Sequence, residues 1–198
     1  MNLLPVKRAI LSVTDKSGLA EFGQFLTDNG CELVSTGGTK KMLADAGLPV
    51  TSVSDVTDFP EILGGRVKTL HPNIHGGILA DKDDNGHMET LREFGIQTFD
   101  LICVNLYNFA DAVAKGLDLK AAVEQIDIGG PTMLRATAKN FHSICVVPDA
   151  KYYPQVQKEI EENGGISLEF RKEMAALTFK LTSEYDAMIT KYLTENDA

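Results

Sequence analysis

The chain has 198 residues, 43% of them apolar and 24% charged, with a formal net charge of −9 at pH 7. That composition describes an ordinary globule with room for one large domain or two small ones. It argues against sequence-independent binding to nucleic acid, and no run is long and apolar enough to span a membrane. Met1 to Arg8 is too short before the first strand for a secretory signal. Cys31, Cys103 and Cys145 lie far apart in apolar stretches, as buried free thiols of a reducing cytoplasm do.

Arg8 to Val13 is a short apolar run that reads as a buried strand. The polar loop Thr14 to Gly18 follows, then a helix with Leu19, Phe22, Phe25 and Leu26 at helical spacing, closed by Gly30. Glu32 to Ser35 is a second strand, Thr36 to Thr39 a Gly-Gly loop, and Lys40 to Ala46 a helix ended by Gly47 and Pro49. Strand, loop and helix repeated in this way predict an α/β fold: a parallel sheet with helices on both faces, three layers in all. In such sheets ligands bind beyond the carboxyl ends of the strands. The loops Ser12 to Lys16 and Ser35 to Thr39 both lie there. The second opens a helix, so its N–H groups suit a phosphate; a plain turn is the other reading.

Pro49 to Val53 is a candidate third strand, and Asp55 to Leu63 a loop with a helical turn. Gly64 to Pro72 (GGRVKTLHP) then puts two glycines before three cationic or potentially cationic side chains, a local reversal of charge that fits either a small anion or a basic surface turn. His71 and His75 are four apart, but Pro72 and the Gly76-Gly77 pair speak against a zinc-binding helix, and no metal is expected. Asp81 to His87 reads as a solvated loop and Met88 to Phe94 as a helix. Phe99 to Leu106 is the most apolar strand and so the expected centre; its end delivers Asn105 and Tyr107 to the same rim. Helical stretches follow to about Gln125.

Asp127, between two isoleucines and before Gly129-Gly130-Pro131, is either a buried carboxylate with a partner or a helix cap. A helix from Thr132 to Asn140 carries Arg135 and Lys139; by position alone Lys139 is an exposed helix lysine. Ile144 to Val147 is another strand and Lys151 to Asn163 a helix. Ser167 caps a long final helix that runs to about Tyr192.

Taken together, SVTDKSGL, STGGT, GGRVKTLHP with IHGGIL, NLYNF, EQIDIGG, LRATAKN and TFKLTSEYDAMITKYL, in this order, resemble the inosine monophosphate (IMP) cyclohydrolase domain of the bifunctional purine-biosynthesis protein. The resemblance covers essentially the whole chain. It implies a methylglyoxal-synthase-like, Rossmann-like domain over residues 1–198 with a long C-terminal helix. It implies closure of 5-formamidoimidazole-4-carboxamide ribotide (FAICAR) to IMP and water, with no cofactor, in a cytoplasmic homodimer that shares its active sites. Two departures stand out: Asn108 replaces the usual proline after Tyr107, and the formyltransferase domain that normally follows is absent.

By the same resemblance, Thr14, Asp15, Lys16, Thr36, Gly37, Gly38, Thr39, Arg66, Val67, Thr69, Val104, Asn105 and Ile128 contact the nucleotide. Ser12, Ser35 and Gly129, in the same loops, are expected to bind it as well. Lys16 and the groups from Ser35 to Thr39 suit phosphate, and Asn105 offers both a donor and an acceptor to the base. Asp127 and Lys139 are the expected proton-transfer unit, with Lys68 and Tyr107 as donors to the developing oxyanion. Two rivals are a regulatory nucleotide-binding module, which would need only the phosphate loops, and a phosphate-eliminating lyase of the methylglyoxal synthase kind, whose signature GGRVKTLHP is not.

Overall fold

A computed structural model describes residues 2–106, 109 and 116–195. Five strands form one parallel sheet: β2 (Arg8–Ser12), β3 (Glu32–Ser35), β4 (Val50–Ser52), β5 (Leu101–Val104) and β6 (Cys145–Val147). Their spatial order is β4-β3-β2-β5-β6. The chain therefore builds outward in one direction from β2, then returns to β2's other side and builds the opposite way. β2 and β5 pair in register, Ala9 with Leu101 through Ser12 with Val104. Between these two strands the order reverses, and there a crevice opens at the carboxyl ends. β5 is buried at all four positions, as a strand covered on both faces must be.

Helices α1 (Leu19–Asp28), α2 (Gly37–Asp45), α3 (Val53–Thr57), α4 (Pro72–Leu79) and α5 (Asn85–Glu93) precede β5. After it come α6 (Leu119–Val123), α7 (Gly129–Lys139), α8 (Tyr153–Asn163) and α9 (Leu168–Glu195). Short strands β1 (Leu3–Leu4) and β7 (Ile166–Ser167) pair antiparallel and fasten the N-terminal segment to the start of α9. This two-residue clasp carries no signal in the sequence. The thiols of Cys31, Cys103 and Cys145 are buried and free, and burial pushes Cys103 up to about 12. Among the described residues, no helix is long and apolar enough to cross a membrane.

Helices α2 and α5 each begin three residues earlier than expected, at Gly37 and Asn85, and two others also depart from expectation. α4 forms in spite of Gly76-Gly77, because Pro72 stands at its start and the His71 side chain caps it, accepting from the Asn73 N–H at 3.2 Å. Its glycines are there for packing. A Cβ on Gly77 would meet the Phe99 ring at 3.0 Å, and the Gly77 carbonyl accepts from the Phe99 N–H. α7 begins three residues before the expected Thr132, so Pro131 sits inside its first turn. α9 starts as foreseen, with the Ser167 hydroxyl accepting from the Phe170 N–H at 3.3 Å. Its buried stripe is more polar than its leucines suggested: Arg171, Thr178 and Thr182 are fully buried, while Leu177 and Leu181 are only partly so.

Candidate active site

A cavity of about 610 Å³ lies at the carboxyl ends of β2 and β5, where the strand order reverses. Five segments wall it: the end of β2, Thr36 at the end of β3, the stretch Gly64–Thr69, the end of β5, and residues 123–133 leading into α7. Of the expected residues it gathers Ser12, Thr14, Thr36, Arg66, Lys68, Thr69, Val104, Asn105, Asp127, Ile128 and Gly129. Gly37 and Gly38 stand beside it. A Cβ on Gly37 would lie 3.7 Å from Lys68 Nζ, and one on Gly38 3.8 Å from Lys16 Cε. No side chain caps α2, so the helix presents open N–H groups at this rim.

Several expected ligand contacts are instead spent inside the protein. The Ser35 hydroxyl is fully buried and donates to the Leu11 carbonyl at 2.6 Å. Thr39 is buried too; its hydroxyl accepts from the Val13 N–H at 3.1 Å and donates to the Val13 carbonyl at 2.9 Å. Asn105 uses its amide on the neighbouring loop. Its Oδ1 accepts from the N–H groups of Thr14 and Asp15 at 2.6 and 3.2 Å, and its Nδ2 donates to the Asp15 carbonyl at 3.0 Å. Asp15 accepts from the Ser17 N–H and hydroxyl, which hold its carboxyl below the ordinary range. Val67 bridges to Ile62 through its main chain. These groups shape the rim, and Asp15, Lys16, Ser35, Thr39 and Val67 do not line the cavity.

The central stretch is held by two ion pairs that the sequence did not disclose. Lys68 Nζ stands 3.1 Å from a Glu61 carboxylate oxygen, and the exposed Arg66 guanidinium pairs with Glu124. Leu63, Gly64 and Gly65 all have positive φ, and Leu63 at +55° is costly for a branched side chain. Gly65 is required twice over: its φ is +96°, and a Cβ there would come within 2.7 Å of the Glu61 carboxylate.

Asp127 fulfils both of its readings. It is partly buried, and its Oδ1 accepts from the Gly130 N–H at 2.9 Å, capping α7 from one position before Ile128, whose side chain cannot. Burial pushes its carboxyl above the ordinary value, against the pull of the Gly130 and Gly129 N–H groups and of Lys68. Both glycines are needed for space. A Cβ on Gly130 would collide with the Asp127 carboxylate, and one on Gly129 would lie 2.8 Å from the Thr69 hydroxyl. The Asp127 N–H donates to the Tyr185 hydroxyl at 2.9 Å. Tyr185 sat in the motif that ends the chain, but nothing in its spacing pointed at Asp127.

Lys139 is exposed at the far end of α7. Ten helical steps from Gly129 place it about 15 Å along the axis, and it does not line its own chain's cavity. The expected Asp127–Lys139 pair is therefore not made within one chain. Tyr107 lies outside the described residues, as does Asn108. Among the described residues, Asp81, Asp83 and His142 are the one group of three with potential metal-ligand atoms within 4.8 Å of one another. They sit near Ser143, before β6, away from the cavity.

Residues 18–132 match the family model of the MGS-like domain, and residues 137–198 that of the AICARFT/IMPCHase bienzyme. The bifunctional purine biosynthesis protein PurH of Lactobacillus acidophilus is 51% identical over 191 residues, covering 96% of this chain and 37% of its own length. PurH of Anoxybacillus flavithermus is 52% identical over 189 residues, 95% of this chain and 37% of its own. The chain thus spans little more than a third of these relatives. A crystal structure of ForH superposes with a TM-score of 0.85 at 34% identity, covering 95% of this chain and 97% of that one.

Proposed function

The chain belongs to the MGS-like domain family, and from that premise we propose that it is an IMP cyclohydrolase, closing FAICAR to IMP with loss of water. One observation carries the reading: Lys68 and Asp127 face one cavity at the strand reversal, beside an uncapped helix N-terminus. Its volume suits a small-molecule ligand. A nucleoside monophosphate needs a cradle for a dianion at one end and polar groups at the other. The open N–H groups of α2, with Lys16 beside them, suit the phosphate. Lys68, Thr69 and Asp127 then flank the base.

In the reaction the carboxamide nitrogen attacks the formyl carbon of the same molecule. The carboxamide nitrogen loses a proton and the formyl oxygen gains one; the resulting hydroxyl then takes a second proton and leaves as water, while the formamido nitrogen gives up its own proton and the ring C=N forms to that nitrogen. The carboxamide nitrogen is a poor nucleophile, because its lone pair is delocalised into its own carbonyl. Holding the two groups in contact is worth up to roughly 7–11 kcal/mol in favourable systems. Lys68 suits the negative oxygen that develops on the former formyl carbon, with Tyr107 as a second donor. Asp127 and Lys139 form the proton-transfer unit. An exposed Lys139 at the outer end of α7 fits delivery into the cavity of a second copy, so the working form is a homodimer with shared sites. The place of this chain is the cytoplasm.

The test is to supply FAICAR to the chain alone and follow IMP by absorbance. Asp127→Asn and Lys139→Ala should each lose about 10²–10⁴ of the rate. Mixing Lys68→Ala with Lys139→Ala chains should restore part of it, because one site of the mixed dimer is then intact. No recovery after verified subunit exchange would count against the shared site, and no IMP from the unsubstituted chain against the reading as a whole.

A further inference from the structure

The buried face of α9 carries a row of polar groups, and almost all are satisfied close to home. Thr178 and Thr182 give their hydroxyls to carbonyls of their own helix, those of Met174 and Phe179. Arg171, fully buried, donates to the Phe141 and His142 carbonyls just beyond α7. Tyr185 is different. The residue is 4% exposed, and its oxygen reaches out of the helix to one atom, the main-chain N–H of Asp127. Asp127 is thus held at two points: its N–H by Tyr185, and its carboxylate by the Gly130 N–H at 2.9 Å. Together these fix where the carboxylate points about its own Cα.

A phenol suits this task for a chemical reason. The Asp127 N–H needs an acceptor, since a buried amide left unpaired is costly. A carboxylate acceptor would repel Asp127 itself. A hydroxyl accepts without charge, and burial together with the neighbouring Asp127 and Asp186 keeps this phenol protonated. The groups facing the Asp127 carboxyl are Lys68 from the central stretch, Tyr185 from α9, and the N–H groups of Gly129 and Gly130.

We propose that Tyr185 is a positioning residue for ring closure: anchored on α9, it holds the Asp127 main chain so that the carboxylate faces the reacting groups. This rests on the cyclohydrolase reading. It concerns a residue that touches no ligand and acts only through Asp127.

The test uses the full chain with Tyr185→Phe, which keeps the buried ring and removes the acceptor. In the unsubstituted chain the Asp127 amide should exchange its hydrogen slowly, and in the variant at least about tenfold faster. With FAICAR, kcat should fall ten- to about a hundredfold while KM stays within about twofold, because the phosphate end is untouched. The acid limb of the kcat profile should move to lower pH, as a loosened Asp127 becomes wetter and its carboxyl drifts back toward the ordinary value. Thr182→Val, one turn earlier on the same face, reports general damage to α9: its melting temperature should drop with kcat and the acid limb unchanged. For Tyr185→Phe, a kcat within twofold of the parent, a raised KM with kcat intact, or an unmoved acid limb would overturn the positioning role. If the unsubstituted chain makes no IMP, the cyclohydrolase reading fails first and takes the role with it.

Discussion

Asp127 shows how one residue can serve the site at a cost to the fold. Its carboxyl is raised above its ordinary value of 3.8 by burial. In the window between 3.8 and the raised native value, the folded chain binds more protons than the unfolded one. Stability therefore falls as pH rises through that window and stays lower above it. Above the raised native value the whole penalty is present. Asp127→Asn removes the charge and keeps an oxygen for the Gly130 N–H, so its melting temperature at pH 7 should equal or exceed the parent's. The gap should narrow as pH is lowered toward 3.8, and calorimetry across pH is the check. Gly130→Ala is the opposite case: its Cβ would displace the Asp127 carboxylate. Activity should drop at least about tenfold, read by the FAICAR assay, even where circular dichroism shows a folded chain.

Elements, rather than single side chains, decide which rim groups are open to a ligand. The sequence placed the loops after β2, β3 and β5 on one rim, because short apolar runs followed by polar or glycine-rich turns are the direct mark of a parallel sheet. It could not say which hydroxyls and amides those loops would spend on one another. Ser35, Thr39 and Asn105 are of types that bind nucleotides, and the same hydrogen-bonding capacity ties the loops together. α4 was hidden for a related reason, since its glycines read as breakers until the Phe99 ring is seen against them. Thr39→Val should thus lose about 1–3 kcal/mol of stability through the two Val13 bonds, measured by urea unfolding. Its effect on ligand affinity should follow from a loosened rim, not from a lost direct contact. Asn105→Ala should free the Thr14 and Asp15 amides, and faster hydrogen exchange there would show it.

At the scale of the whole molecule, the reversal of strand order between β2 and β5 sets the site, and the direction of α7 sets its reach. One end of α7 opens at the cavity and the other carries Lys139 outward. If Lys139 works in a second copy's cavity, specific activity should decline on dilution, in step with the loss of dimer by analytical ultracentrifugation. A monomer of full activity would contradict that. The two ion pairs of the central stretch have a consequence of their own. Glu61 rests on Lys68 and Glu124 on Arg66, so an anion that engages either cation competes with a carboxylate for it. A site that must win its cation from a resident carboxylate trades tightness of grip for speed of release.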